Sequence, residues 1–276
     1  MDEVSLYGGP AHRRVTVVDI QAAKDRGEKW AMLTSYDQYT AELFDEVGIP
    51  MLLVGDSAAN NVLGYPDTVP ITVDELIPLV RAVVRATKRT LVVADMPFGS
   101  YQVSPHQGVE TAIRYLKEGG AQAVKLEGGA KYVPHVEAIT SAGIPVVAHV
   151  GFTPQSVNLI GGYRVQGRGE AADRVLKDAL AMEHAGAFAV VLEMVPTEVA
   201  ERVTDELRVP TIGIGAGPHT DAQVLVWQDM AGMRGGKLPR FVKQYADLRG
   251  ELVKATRAFA EEVRDGVYPA EEHSYH

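Results

Sequence analysis

The 276-residue chain contains no cysteine. That excludes a disulfide framework, a thiolate nucleophile and any zinc site built on sulfur. No stretch approaches the ~18 apolar residues that a membrane-spanning helix needs, and residues 1–15 hold no apolar segment of signal-peptide length. Positive charge is scarce: 27 Lys and Arg stand against 36 Asp and Glu, for a net charge of −9. Nucleic acid is therefore not expected as a partner, because phosphate binding wants a basic face. No dinucleotide fingerprint follows the first strand, and neither sequence repeats nor low-complexity tracts occur. The expectation is a soluble, cytoplasmic chain that is not membrane-bound, with enough apolar residues (46%) for a sizeable core.

What the sequence does have is a series of short, unbroken apolar runs. Met51-Leu52-Leu53-Val54 shows no polar alternation and reads as a strand buried on both faces, as in a parallel sheet. It ends in Gly55-Asp56-Ser57. Leu91–Ala94 ends likewise in Asp95, and Ala123–Leu126 ends in Glu127. Further runs lie at Trp30–Leu33, Val146–His149, Ala189–Glu193 and Thr211–Ile214, with an eighth placed at Val224–Trp227. Helical patterns separate them. One opens at Thr72, whose spacing to Glu75 is that of a capping box, and another runs from Gln107 to Glu118 before Gly119-Gly120. Strands alternating with helices, without a linker, predict a single (β/α)8 TIM barrel over residues 1–276. Residues 1–15 are expected to be flexible, and about 241–276 to form a C-terminal helix and tail.

Asp56, Asp95 and Glu127 fall at the ends of strands two, three and four, neighbours in a barrel. Singly, each could be a turn or helix-cap acid. Together they would repel one another, so each must protonate or find a cation. With oxygen ligands only, Mg2+ is expected, held by few protein groups so that positions remain for substrate and water. Lys125 points to the same side of its strand as Glu127. It is either a structural partner of that acid or the cation that receives an acidic substrate. His149 is either a hydrogen-bonded structural group or an auxiliary to catalysis. Glu193 follows an apolar run, where desolvation suits a general base; the alternative is a supporting contact to His149 or Arg164. The loop Gly151–Gly169 is a substrate wall or a surface excursion. The segment Gly213–Gly217 either cradles a phosphate or marks close packing. His273 and His276 read as solvated.

At this point a set of motifs becomes specific. Val54-Gly55-Asp56-Ser57, Ala94-Asp95-Met96-Pro97-Phe98, Val124-Lys125-Leu126-Glu127-Gly128-Gly129 and the His149–Gly169 stretch occur in one order. They are followed by Leu192-Glu193-Met194-Val195-Pro196, Gly213–Gly217 and Gly266-Val267-Tyr268-Pro269. From about Trp30 to the C-terminus this pattern resembles the ketopantoate hydroxymethyltransferase family. The resemblance implies a barrel of the phosphoenolpyruvate mutase-like group with a C-terminal helical extension. It also implies transfer of a hydroxymethyl group from 5,10-methylenetetrahydrofolate to 3-methyl-2-oxobutanoate through a Mg-stabilised enolate, giving 2-dehydropantoate for pantothenate synthesis. Carried over by motif, Asp56, Asp95 and Glu127 match metal positions, some direct and some through water. Asp56, Ser57, Asp95 and Lys125 match keto-acid contacts, and Glu193 the proton acceptor. Family members are homodecamers whose final helix often docks on a neighbouring subunit. The segment Ala58-Ala59-Asn60-Asn61 departs from the leucine-glycine-methionine type common after the serine, which puts that loop wall in question. Competing readings are a Mg-dependent C–C lyase, of a kind that often uses a cysteine, and a non-catalytic metal-binding barrel.

Overall fold

Every residue of β2 (Met51–Val54), β3 (Leu91–Asp95) and β4 (Ala123–Glu127) is buried, as strands covered on both faces must be. With β1 (Trp30–Thr34), β5 (Val146–Gly151), β6 (Ala189–Glu193), β7 (Thr211–Ile214) and β8 (Ala222–Leu225) they form one sheet. In the computed structural model, which describes residues 5–7 and 13–276, these eight parallel strands close in sequence order and β8 pairs back onto β1. The predicted (β/α)8 fold class is the observed one. Of the fifteen N-terminal residues expected to be flexible, 1–4 and 8–12 lie outside the described residues; Leu6 and Val15 are buried against Ile20 and Trp30. Met32, Met51, Val93, Val147, Val191 and Ile212 belong to the same buried cluster, so the barrel is filled by side chains and is not a pore.

The helices are α1 (Val17–Asp25), α2 (Gln38–Val47), α3 (Ala58–Asn61), α4 (Val73–Ala86), α5 (Pro105–Arg114) and α6 (Val133–Ser141). They continue with α7 (Val157–Ile160), α8 (Ala172–His184), α9 (Thr197–Glu206), α10 (Trp227–Met230) and α11 (Leu248–Arg264). The capping box is present: Thr72 Oγ1 accepts from the Glu75 N–H at 3.2 Å, and Glu75 accepts from the Thr72 N–H at 2.8 Å. The helix expected to reach Glu118 ends as α5 at Arg114 and continues as one π-helical turn, Tyr115–Gly119.

The eighth strand lies two residues earlier than its apolar run predicts, and Trp227 opens α10 instead. The anchor is upstream. The Asp221 carboxylate accepts from the Thr211 N–H at 2.8 Å and from Lys24 Nζ at 2.9 Å, which fixes the chain just before Ala222. The chain divides into two compact units, Met1–Val226 and Trp227–His276. In the second, Asp247 caps α11 by accepting from the Gly250 N–H at 3.0 Å, and Leu252, Phe259 and Val263 on that helix are exposed. Among the described residues no helix is long and apolar enough to cross a membrane.

Asp45, on α2, secures the approach to β3. Its carboxylate accepts from three consecutive N–H groups, those of Lys88, Arg89 and Thr90, at 2.9, 3.0 and 2.7 Å. Burial works to raise its pKa, but these donors outweigh it and hold the group below its ordinary value. A depressed folded-state pKa adds stability above the unfolded value of about 3.9, and that stability is lost as pH falls through the folded one. Asp45→Ala is therefore expected to lower stability by about 1–3 kcal/mol at pH 7. Denaturant unfolding should show the gap to wild type narrowing below about pH 4.

Candidate active site

The C-terminal ends of β2 to β6 bring the expected acids together. Register places Asp95 beside Lys125, Glu127 beside His149, and Gly151 beside Glu193. Side chains two apart on one strand share a face, so Lys125 and Glu127 reach the same cluster. Lys125 Nζ lies 2.8 and 2.9 Å from the two Asp95 oxygens and 3.6 Å from Glu127 Oε1. The Asp56 N–H donates to Asp95 Oδ2 at 3.1 Å. Asp56, Asp95, Lys125, Glu127 and His149 are all buried.

Burial makes this charge set unequal. Desolvation pushes Asp56 well above the ordinary carboxylate range, and Asp95 and Glu127 push it further. Desolvation also raises Asp95, against the pull of Lys125. For Glu127 burial acts in the same direction, yet Lys125 and His149 outweigh it and hold the group low. Lys125 is raised: burial opposes its charge, but Asp95, Glu127 and Asp56 prevail. His149 has Nδ1 3.3 Å from Glu127 Oε1 and Nε2 3.3 Å from Glu193 Oε2. These are ion-pair contacts without hydrogen-bond alignment. Burial and Lys125 lower its pKa, but the two carboxylates outweigh them and raise it to about 9.

Glu193 sits opposite the Asp56–Asp95 pair in strand order, partly open to solvent, and the backbone around it is unusual. Met194, directly after it, has φ +48°, a left-handed conformation that disfavours an L-residue by about 1–2 kcal/mol. Two bonds hold it there: the Met194 N–H donates to Ile214 O at 2.9 Å, and the Gln166 N–H donates to Met194 O at 2.8 Å. Gly151 (φ +92°) lies so close that a Cβ would fall 2.5 Å from Glu193 O. Only glycine fits this approach.

Three residues of the site were missed in the sequence. Gln155 is buried in the loop after β5; its Nε2 donates to Asp56 Oδ2 at 2.9 Å and to Met96 O at 3.0 Å. Its own N–H donates to Glu127 Oε2 at 3.0 Å. Tyr101 OH donates to Gln155 Oε1 or to Glu127 O, both at 2.9 Å, and accepts from the Glu127 N–H. Tyr36, just past β1, lies 2.7 Å from Ser57 Oγ through its hydroxyl. The available signal was a polar amide following Thr153-Pro154 inside a βα loop. That loop is divided: Phe152 and Gln155 are buried, whereas Leu159, Tyr163 and Val165 are exposed. In the Gly213–Gly217 segment a Cβ at Gly213 would meet Thr220 Oγ1 at 2.5 Å, and one at Gly217 would meet Thr197 Oγ1 at 2.5 Å. Close packing accounts for both glycines.

Among the described residues no group of three or more His, Asp or Glu side chains forms a ready-made cage. Asp95 is taken up by Lys125, and Glu127 by His149 and Gln155. A small hard cation needs only one or two carboxylates, with water and substrate completing its shell. Asp56, buried beside two further acids with one oxygen held by Gln155, is a carboxylate whose ionised form calls for such a cation. The residues fit Mg2+ on those terms.

The fold is that of the phosphoenolpyruvate mutase/isocitrate lyase barrels. A phosphonopyruvate hydrolase solved with oxalate and Mg++ superposes with TM-score 0.61 at 15% identity, covering 93% of this chain and 92% of that one. A 2,3-dimethylmalate lyase gives 0.60 at 18%, covering 94% and 91%. At such identities the likeness is one of fold. Within that class the sequence is decisive: the family model for ketopantoate hydroxymethyltransferase matches residues 14–271. A 3-methyl-2-oxobutanoate hydroxymethyltransferase from Saccharopolyspora erythraea is 64% identical over 98% of this chain and 92% of its own length. One from Mycobacterium tuberculosis is 58% identical over the whole of both. The chain belongs to the ketopantoate hydroxymethyltransferase family.

Proposed function

We propose that the acid cluster binds 3-methyl-2-oxobutanoate and prepares it for hydroxymethyl transfer from 5,10-methylenetetrahydrofolate, giving 2-dehydropantoate. The observation that carries this reading is the burial of three carboxylates and one lysine at the ends of β2 to β4, facing Glu193 on β6 and joined to it through His149. Asp56 would hold Mg2+ directly, and Asp95 and Glu127 through water, because Lys125 already engages Asp95 while His149 and Gln155 engage Glu127. Bound there, the ion supplies Lewis-acid polarisation of the 2-oxo group. Ser57, oriented by Tyr36, and Lys125 face the substrate carboxylate and balance its charge. The Glu193 carboxylate takes the proton from C3, and the electron pair left at C3 forms the bond to the methylene carbon of the folate. The bonds from that carbon to N5 and N10 break, water supplies the hydroxyl oxygen, and the two nitrogens take up the protons released, leaving tetrahydrofolate. His149 stands between Glu193 and Glu127, 3.3 Å from each, and so sits between the base and the acid cluster.

The lyase alternative has only the shared fold in its favour. Assembly into a homodecamer belongs to the same reading and draws support from the exposed apolar side chains of α11. A cytoplasmic location is consistent with the cysteine-free composition.

The reading is tested by Mg2+-dependent formation of 2-dehydropantoate, with and without methylenetetrahydrofolate. Glu193→Gln is expected to slow exchange of the C3 hydrogen with D2O by roughly 10²–10⁴-fold, followed by NMR, while keto-acid binding persists. Exchange at the wild-type rate removes Glu193 from the role of base.

A further inference from the structure

The loops that follow β3, β4 and β5, with Val69 from the segment after β2, line a cavity of about 240 Å³ beside the acid cluster. Glu127 and Gln155 belong to both, whereas Asp56, Ser57, Asp95 and Lys125 do not line the cavity. It is therefore adjacent to the keto-acid position and separate from it. We propose that this cavity seats the bicyclic pterin head of the one-carbon donor. Phe98 and Tyr132 would lie against the ring faces and Lys131 beside the exit of the acidic tail. The inference rests on the reading above that the donor is a reduced folate.

Size is the first argument. Pockets for drug-sized ligands measure roughly 300–1,000 Å³. A cavity slightly below that range admits a fused bicyclic ring and leaves a p-aminobenzoyl-glutamate tail outside.

Chemistry is the second. Phe98 is 47% exposed on the loop after β3, a large ring left in solvent where a flat heteroaromatic partner would cover it. Tyr132 is a rigid wall: its ring meets Tyr101 edge-on at 5.3 Å and His135 at 5.0 Å. The polar groups of Gln102, Ser156 and Asn158 also line the cavity, and side-chain amides can match both donors and acceptors on a pterin edge. Lys131 Nζ stands 4.7 Å above the Tyr132 ring. There it provides a solvent-facing positive charge for the tail carboxylates.

Position is the third. The loops at the C-terminal face of a barrel build its ligand sites. A donor held here shares a wall with the groups that hold the acceptor, as transfer between two bound molecules requires.

The experiment uses the Mg2+-loaded enzyme and four variants, Phe98→Ala, Asn158→Ala, Lys131→Ala and Phe98→Leu. Tetrahydrofolate binding is read by calorimetry, the KM for methylenetetrahydrofolate by assay, and keto-acid C3–H exchange in D2O by NMR. Phe98→Ala is expected to raise the tetrahydrofolate Kd roughly 10-fold or more, the effect of one lost ring–ring contact. Phe98→Leu should lie between it and wild type. Exchange, which uses no folate, should stay at the wild-type rate in all four. Lys131→Ala should weaken tetrahydrofolate but not 6-methyltetrahydropterin, which has no tail. Unchanged Kd in Phe98→Ala and Asn158→Ala, with exchange intact, overturns the assignment. A wild-type enzyme that exchanges the C3 hydrogen yet fails to bind tetrahydrofolate overturns the folate reading itself.

Discussion

Lys125→Met is expected to lower the unfolding free energy by about 3–5 kcal/mol, the usual result of removing one partner of a buried ion pair. The side chain volumes are similar, so the loss comes from charge and not from a cavity. Lys125 Nζ contacts both Asp95 oxygens, at 2.8 and 2.9 Å, and approaches Glu127 at 3.6 Å. Without it, two buried carboxylates lose their nearest ammonium, and Asp56 loses the positive charge that offsets its neighbours. The double variant Lys125→Met, Asp95→Asn separates this account from a packing defect, because it removes one of the two stranded charges as well. It should recover at least half of the lost stability in urea unfolding, a coupling expected only for groups in contact. Keto-acid binding should stay lost in both variants, since neither retains a cation for the substrate carboxylate. A single variant that loses less than about 1 kcal/mol would show that the pair does not govern this part of the barrel.

The acids were readable because a buried strand announces itself as a continuous apolar run. An Asp or Glu at its last position has few structural uses there. Asp95, Glu127 and Glu193 were found this way, Asp56 by its place two residues past the run that ends at Val54, and strand order then placed them on one rim. The eighth strand was misplaced for the converse reason. Its apolar run continues past Leu225 into Val226 and Trp227, while its true start is fixed by Asp221, a side-chain contact to Thr211 and Lys24 that periodicity does not report. Gln155 and Tyr101 stayed hidden because nothing local marks them. Their importance comes from contacts 54 residues apart with each other and, for Gln155, 99 residues away with Asp56. For His149 the sequence offered Glu193 as one partner, but not its second contact, to Glu127 on the neighbouring strand. Local pattern thus located the groups that carry charge, and only the closed barrel showed what orients them.

Gln155 makes the second large prediction. Its amide can have only one orientation: the Met96 carbonyl is an acceptor, so the group 3.0 Å away must be Nε2. The other Nε2 hydrogen then points at Asp56 Oδ2, 2.9 Å away, while Oε1 accepts from Gln102 Nε2 at 3.2 Å. Asp56 therefore has one oxygen held by Gln155, and in the proposed reading it would offer the other to the cation. Gln155→Leu keeps the shape and removes the hold. Partners of this kind typically contribute 10- to 100-fold in metal affinity, so a loss of roughly that size is expected. Mn2+ binding followed by electron paramagnetic resonance measures it without turnover. Gln155→Glu should be worse, although it is closer in shape. A carboxylate cannot donate to Met96 O and adds a fourth acid beside Asp56, so stability should fall by about 1–3 kcal/mol in addition. Should Gln155→Leu bind Mn2+ within about two-fold of wild type, Asp56 would be oriented by its own strand alone, and the amide would be no more than packing.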